Sequence, residues 1–272
     1  MKRFKGLAVP YFVWLILLVV VPTITMIVLT FLQSNGTNLD GAYWSLDSYR
    51  RLADSSILKA LWNSLVIAFW TVLFCFLLGY PVAYFLSFST HIKNKQLFLL
   101  LLILPMWCNS MLRIVSWLRF FSTDWLSPLN LVGTNGAVIF VTVTTYLPFM
   151  VFPIFTVLEK MDRSLIEASS DLGVPAWKTF LKITFPLSLE GVSSGVIMVF
   201  LPAATGFAIS ETIGQGKVRL MGNLIQAVFE KNNYNFGSLL SLLTSIVILL
   251  LVGAVAGIRE MHKRRKVHHV NA

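Results

Sequence analysis

The chain has 272 residues, 56% of them apolar and only 12% charged, with a formal net charge of +10. A water-soluble domain of this length needs far more polar surface, which excludes that class. The charges are clustered, and nuclear or RNA-binding readings have no supporting fold signal, so no nucleic-acid partner is expected.

Charge-free stretches define the elements. No Asp, Glu, Lys or Arg occurs between Lys5 and Asp40, Lys59 and Lys93, Lys95 and Arg113, Asp124 and Glu159, Glu190 and Glu211, or Lys231 and Arg259. Most of these gaps exceed the roughly 20 residues that cross a hydrocarbon core as a helix. An all-α, polytopic membrane protein is expected, a single domain over 1–272. Its six helices fall at about 8–32, 61–86, 97–118, 136–158, 189–210 and 236–258. Lys2, Arg3 and Lys5 precede the first apolar run as in a signal peptide. That run is too long, and no small-x-small site closes it before Gln33, so it reads as a retained anchor. Next, 33–60 carries Gly36, Asn38, Asp40, Gly41 and Asp47 and reads as an outer loop with a short amphipathic piece. Pro22, Pro81, Pro105, Pro148, Pro153 and Pro202 interrupt the helices, each leaving a carbonyl one turn earlier without its amide. Singly they read as tolerated kinks, and together they suit a bundle splayed around a cavity. No internal repeat is evident.

The basic residues orient the chain. With the N-terminus in the cytoplasm, inner segments carry 14 of the 22 Lys and Arg residues and outer segments 8, so both termini face inward. The basic tail at 263–266 is then a topology and lipid-headgroup anchor.

The inner connection 159–188 is rich in both signs of charge yet has helical periodicity. It reads Glu167-Ala168-Ser169-Ser170-Asp171-Leu172-Gly173, continues through Pro175, Trp177, Phe180 and Leu181, and closes on Ile183-Thr184-Phe185-Pro186. One short helix runs from about Arg163 to Leu172, and Gly173 can take the left-handed conformation that ends it. Pro175 sits where a first helical turn tolerates it. Trp177, Phe180 and Leu181 give the second helix an apolar face, and Pro186 is expected to stop that helix. The sequence Glu-Ala-Ala, three residues, Gly, nine residues, Ile-x-Leu-Pro is the signature of bacterial ABC importer permeases. This chain resembles it at Glu167, Ala168, Gly173, Ile183 and Pro186, with Ser169 and Phe185 as departures. The resemblance implies a type I importer permease fold in a bacterial inner membrane, with a cytoplasmic two-helix coupling elbow. Glu167, Ala168, Asp171, Gly173 and Trp177 would dock on an ATP-binding subunit.

A second resemblance narrows the subfamily. Leu104-Pro105-Met106-Trp107-Cys108-Asn109-Ser110-Met111-Leu112-Arg113-Ile114 is similar to a stretch of spermidine/putrescine permeases. So are Leu147-Pro148-Phe149-Met150-Val151, Glu159-Lys160-Met161-Asp162 and Leu220-Met221-Gly222-Asn223-Leu224-Ile225. It implies transport of polyamines inward, with three kinds of partner besides membrane lipids. They are a second permease, a cytoplasmic ATPase dimer holding ATP and Mg, and an extracellular or periplasmic polyamine-binding protein. Permeases for iron, sulfate, molybdate and phosphonates share the weaker motifs, and an oxyanion is the runner-up cargo.

A path for ammonium groups should offer carboxylates, aromatic faces and carbonyl oxygens. Glu211 ends the fifth segment beyond the 202–206 break, Trp107 and Asn109 flank Pro105, and Tyr146 lies beside Pro148; these four are the candidate path residues. Each also has a structural reading. Trp107 suits an interfacial belt, Asn109 a bond to a neighbouring helix, and Arg113 a snorkelling cation or a partner for Glu211. Cys75 and Cys108 read as packing residues, and no metal cluster, phosphate loop or nucleophile constellation is visible, so neither cofactor nor enzyme activity is expected. A channel or secondary transporter would not need the elbow, and a proton-coupled carrier would place carboxylates within its spans. The orientation is directly testable. Single cysteines at Asn38 or Asn232 should react with an impermeant thiol reagent added outside intact cells, and one at His268 should not; labelling at 268 would invert the topology.

Overall fold

The computed structural model describes the backbone of residues 10–35, 38–89 and 93–270, and side chains there except those of 34–41 and 255–270. Lys2, Arg3 and Lys5 and the side chains at 263–266 and 268 lie outside the described residues. The helices are α1 (Pro10–Phe31), α2 (Asp47–Arg50), α3 (Ser55–Phe88), α4 (Lys95–Ile103), α5 (Ser110–Phe121), α6 (Asn135–Glu159), α7 (Ser164–Asp171), α8 (Ala176–Thr205), α9 (Ala208–Gly214), α10 (Met221–Glu230) and α11 (Tyr234–Val270). Five of them, α1, α3, α6, α8 and α11, are long and apolar enough to cross a membrane, and α4 with α5 makes a sixth, bent span.

Three expectations need correction. The third segment is not one helix over 97–118. After α4 the chain tightens into a 3₁₀ turn, Leu104–Trp107, and restarts as α5 at 85° to it. Pro105 and the extended Cys108 end the first arm. Pro186 does not stop the second elbow helix, because α8 runs through it without a break. The π turn Phe180–Thr184 comes first, and the Phe185 amide reaches back five residues to the Phe180 carbonyl, which accommodates the proline ring. Pro22 is handled the same way, after the π turn Ile16–Val20 in α1. The fifth segment ends at Thr205 rather than 210, so Glu211 belongs to the separate helix α9. Outside the helices, the 33–60 loop contains an antiparallel hairpin, β1 (Leu32–Asn35) with β2 (Asn38–Trp44), in the register Leu32↔Trp44 and Gln33↔Tyr43.

The chain divides into two compact units, 1–61 with 221–247 and 62–220 with 248–272. In the first, buried Asn235 closes the end of α1. Its amide donates to the carbonyls of Leu29 and Thr30 at 2.9 Å each and of Leu32 at 3.2 Å, while its oxygen accepts from the Ser48 hydroxyl. Its two N–H protons are thus shared among three carbonyls, two in the last turn of α1 and one at the first residue of β1. Ile57, Ala60, Met221 and Leu240 form the apolar core beneath it.

In the second unit, α6 and α8 pack most extensively. Gly191 and Gly195, four residues apart on α8, let the backbones meet. A methyl group at Gly191 would lie 2.7 Å from the Pro153 carbonyl oxygen, and one at Gly195 would lie 2.8 Å from Met150 Sδ. Small residues at this spacing are how membrane helices gain packing where lipid supplies no hydrophobic drive. Val199 and Ala203 continue the buried stripe. Overpacking such a contact costs about 1–3 kcal/mol. Gly191→Ala should therefore lower the thermal unfolding midpoint of the detergent-solubilised protein. Gly253→Ala, with nothing within 4 Å of the added methyl, should leave it unchanged or slightly raised.

Candidate functional site

The elbow is built from α7 and the first turns of α8. Asp162 starts it: its carboxylate accepts from the Ser164 amide at 3.0 Å, and that bond holds the carboxyl below its usual range. At the corner Gly173 has φ +69°; its amide bonds to the Ser170 carbonyl at 2.9 Å, and the Val174 amide to the Ser169 carbonyl at 3.1 Å. This is the paired closure that a left-handed glycine gives a helix end. Across the corner the Ser169 and Thr179 hydroxyls, both buried, bond at 2.7 Å. The residue that departs from the Glu-Ala-Ala signature thus staples the two helices. A serine and a threonine ten residues apart, each on the inward side of its helix, were the signal for it.

Phe180 and Arg163 hold the elbow to the bundle, and Lys95 braces the helix ends beside it. Phe180 packs edge-on against Tyr80 and Tyr84 of α3, with ring centroids 5.8 and 5.6 Å apart, and the Tyr80 hydroxyl meets Ser188 at 2.8 Å. Arg163 donates to the Ser87 carbonyl at 3.1 Å and lies over the Phe88 ring, and Lys95 donates to the same carbonyl while sitting 3.6 Å from Glu159. Cations suit the negative end of a helix. Phe180 therefore faces the bundle rather than sharing an outward apolar face with Trp177 and Leu181. Those two, with Leu165 and Leu172, are exposed, Leu172 at 82% and Trp177 at 62%. Glu167, Ala168, Asp171, Gly173 and Trp177 all lie exposed on this one projection.

At the opposite end of α6 and α8 is a cavity of about 260 Å³, lined from α5, α6, the end of α8, the 206–207 break and α9. Tyr146 lines it, and Glu211 follows the lining residue Ser210 on α9. Trp107 and Asn109 do not line it. Trp107 is 84% exposed at the α4–α5 bend, and the Asn109 side chain caps α5 by accepting from the Met111 amide at 2.9 Å. Arg113 reaches back across the bend to the Pro105 carbonyl at 2.8 Å. Sequence reasoning missed Thr142 and Thr145, two lining hydroxyls three residues apart on α6. Among the described residues no group of His, Cys, Asp or Glu could hold a metal ion.

The hydroxyl staple makes a sharp expectation. Ser169→Ala leaves the buried Thr179 hydroxyl unpaired, costing about 1–3 kcal/mol, whereas removing both partners is close to neutral. Limited proteolysis should therefore cut the Ser169→Ala elbow faster than that of the Ser169→Ala/Thr179→Val double variant.

Comparison with known proteins agrees with this architecture. The family described as the inner membrane component of binding-protein-dependent transport systems matches residues 5–268. The spermidine/putrescine transport system permease protein PotB of Escherichia coli K12 is 36% identical over 252 residues, 88% of this chain and 91% of that protein. Its Haemophilus influenzae counterpart is 32% identical over 254 residues, 89% and 88% of the two chains. The fold also matches a bacterial ABC transporter that imports alginate, with a TM-score of 0.78 at 13% identity over 96% of both chains. A match to the MetNI methionine transporter has a TM-score of 0.56 at 17% identity, covering 77% of this chain and 95% of the other. This multi-pass membrane protein belongs to the binding-protein-dependent transport system inner membrane component family, the permeases of ABC importers.

Proposed function

We propose that the chain is a permease subunit of an ATP-driven importer of spermidine and putrescine. The observation that carries this is its 36% identity to the E. coli polyamine permease over nine-tenths of both chains. In this reading the elbow faces the cytoplasm and both termini lie on that side. The exposed Leu172 and Trp177, with Glu167 and Asp171 beside them, enter a groove of an ATP-binding subunit that supplies ATP and Mg. A second permease completes the pathway, and an external binding protein delivers cargo at the cavity end.

The mechanism follows from connectivity. Helix α8 is 30 residues long, about 45 Å at the helical rise, and joins the elbow corner to the 206–207 break without interruption. Gly191 and Gly195 clamp its middle to α6, so force applied at the elbow moves α8 and its partner as one body. ATP-driven closure of the partner subunits then reshapes the cavity wall at the far end of that rod.

The test is uptake of labelled spermidine in cells carrying this chain with its partner subunits. Transport should require ATP and should fail for Gly173→Val, whose side chain is strained at a φ of +69°. That variant should insert in the membrane at normal levels yet fail to co-purify with the ATP-binding subunit. Normal uptake by Gly173→Val would rule out the elbow as the coupling element.

A further inference from the structure

The carbonyl of buried Ser87, in the last turn of α3, accepts from two cations at once. Arg163 Nη2 donates to it at 3.1 Å, and Lys95 Nζ donates to it as well. It is one of the four carbonyls that a helix end leaves without amides of its own, and it lies at the negative end of the helix dipole. Its two lone pairs have room for both donors, yet closing the helix needs only one. Lys95, 3.6 Å from Glu159 at the end of α6, already ties α3 to α4 and α6. The second cation comes from the elbow and is surplus to that task.

Arg163 is placed to transmit movement. It caps α7, and its own carbonyl accepts the Ile166 and Glu167 amides at 2.9 and 3.1 Å, so it holds the turn that carries exposed Glu167. Its guanidinium carbon lies 5.9 Å from the centre of the Phe88 ring, which packs on Tyr84 with centroids 4.8 Å apart. Further along α3, about 28 Å from Ser87 at the helical rise, buried Ala68 clusters with Ala203 and Ala204 at the end of α8. Ile67 beside it shares a buried cluster with Val138 and Ile209. Ala203, Val138 and Ile209 all line the cavity. Two helices therefore run from the elbow end to that wall. Helix α8 is continuous with the elbow, whereas α3 is joined to it through side chains.

We infer that Arg163 is a positioning residue for energy coupling: it makes α3 follow the elbow, so that α3 and α8 reach the cavity wall in step. The inference rests on the elbow being the coupling element and deepens that reading, adding α3 as a second route beside α8. Without the Arg163 contact the ATP-binding subunits still dock and hydrolyse ATP. Helix α8 then moves against a wall that stays behind, and part of the hydrolysis produces no transport.

The test uses the whole transporter in proteoliposomes with its binding protein. ATP hydrolysed and labelled spermidine imported are measured on the same vesicles. Arg163→Met keeps the side-chain length and removes the charge and the donors, whereas Arg163→Lys keeps a charge and a donor. At equal yield of assembled complex, ATP consumed per spermidine should rise about fivefold or more in Arg163→Met and stay within about twofold of wild type in Arg163→Lys. Arg163→Gln is scored by the same ratio if Arg163→Met does not assemble, and failure of both to assemble would overturn the inference by showing a structural role. A bracing role alone would lower hydrolysis and uptake in proportion, so an unchanged ratio would also overturn it, as would an equal rise in Arg163→Lys. Gly173→Val is run beside them. Normal uptake in that variant would overturn the elbow reading itself, whereas its failure together with a wild-type ratio in Arg163→Met would overturn the role of Arg163 and leave the elbow standing.

Discussion

Backbone polar groups have no water to turn to inside a bilayer, and this chain carries prolines throughout its membrane helices. Each unpaired group there costs several kcal/mol, so an interruption persists only where something else satisfies the backbone. The structure uses a different device for each kind of interruption. At Pro22 and Pro186 a π turn precedes the ring, and hydrogen bonding resumes one residue out of step. At the end of α4, Arg113 returns to the Pro105 carbonyl across the bend. At the end of α1, the two N–H protons of one carboxamide are shared among two carbonyls of the last turn and that of Leu32. The choice of device decides what the segment becomes. A π turn keeps a helix continuous, which makes α8 a single rod, whereas a charged side chain lets the third segment turn through 85°.

Continuity of α8 matters because of what grips it. Gly191 and Gly195 bring its backbone against α6 so closely that not even a methyl group fits. Contacts of this kind are short-ranged, and a gap of even a fraction of an ångström forfeits much of the attraction. The pair therefore favours moving together over sliding. Phe180 and Ser188 tie the base of the same rod to α3 through Tyr80. The elbow is in consequence the exposed end of a braced helix, and its own corner is fixed by a left-handed glycine and a buried hydroxyl pair.

Which features were legible in the sequence follows from how local their causes are. Gly173 could be read because only the conformation of one residue had to be inferred. The break expected at 202–206 was only partly legible: Gly206 does end α8, but Pro202 lies inside the helix, which continues to Thr205. The continuity through Pro186 could not, since it depends on a π turn that no residue type announces. The hairpin after α1 escaped for a different reason. Its first strand is anchored through the Leu32 carbonyl to Asn235, far away in sequence, and its polar residues alone suggested a loop. At the candidate site, Tyr146 was found because aromatic rings were sought, while Thr142 and Thr145 were overlooked because threonines in a membrane helix satisfy themselves on the preceding turn.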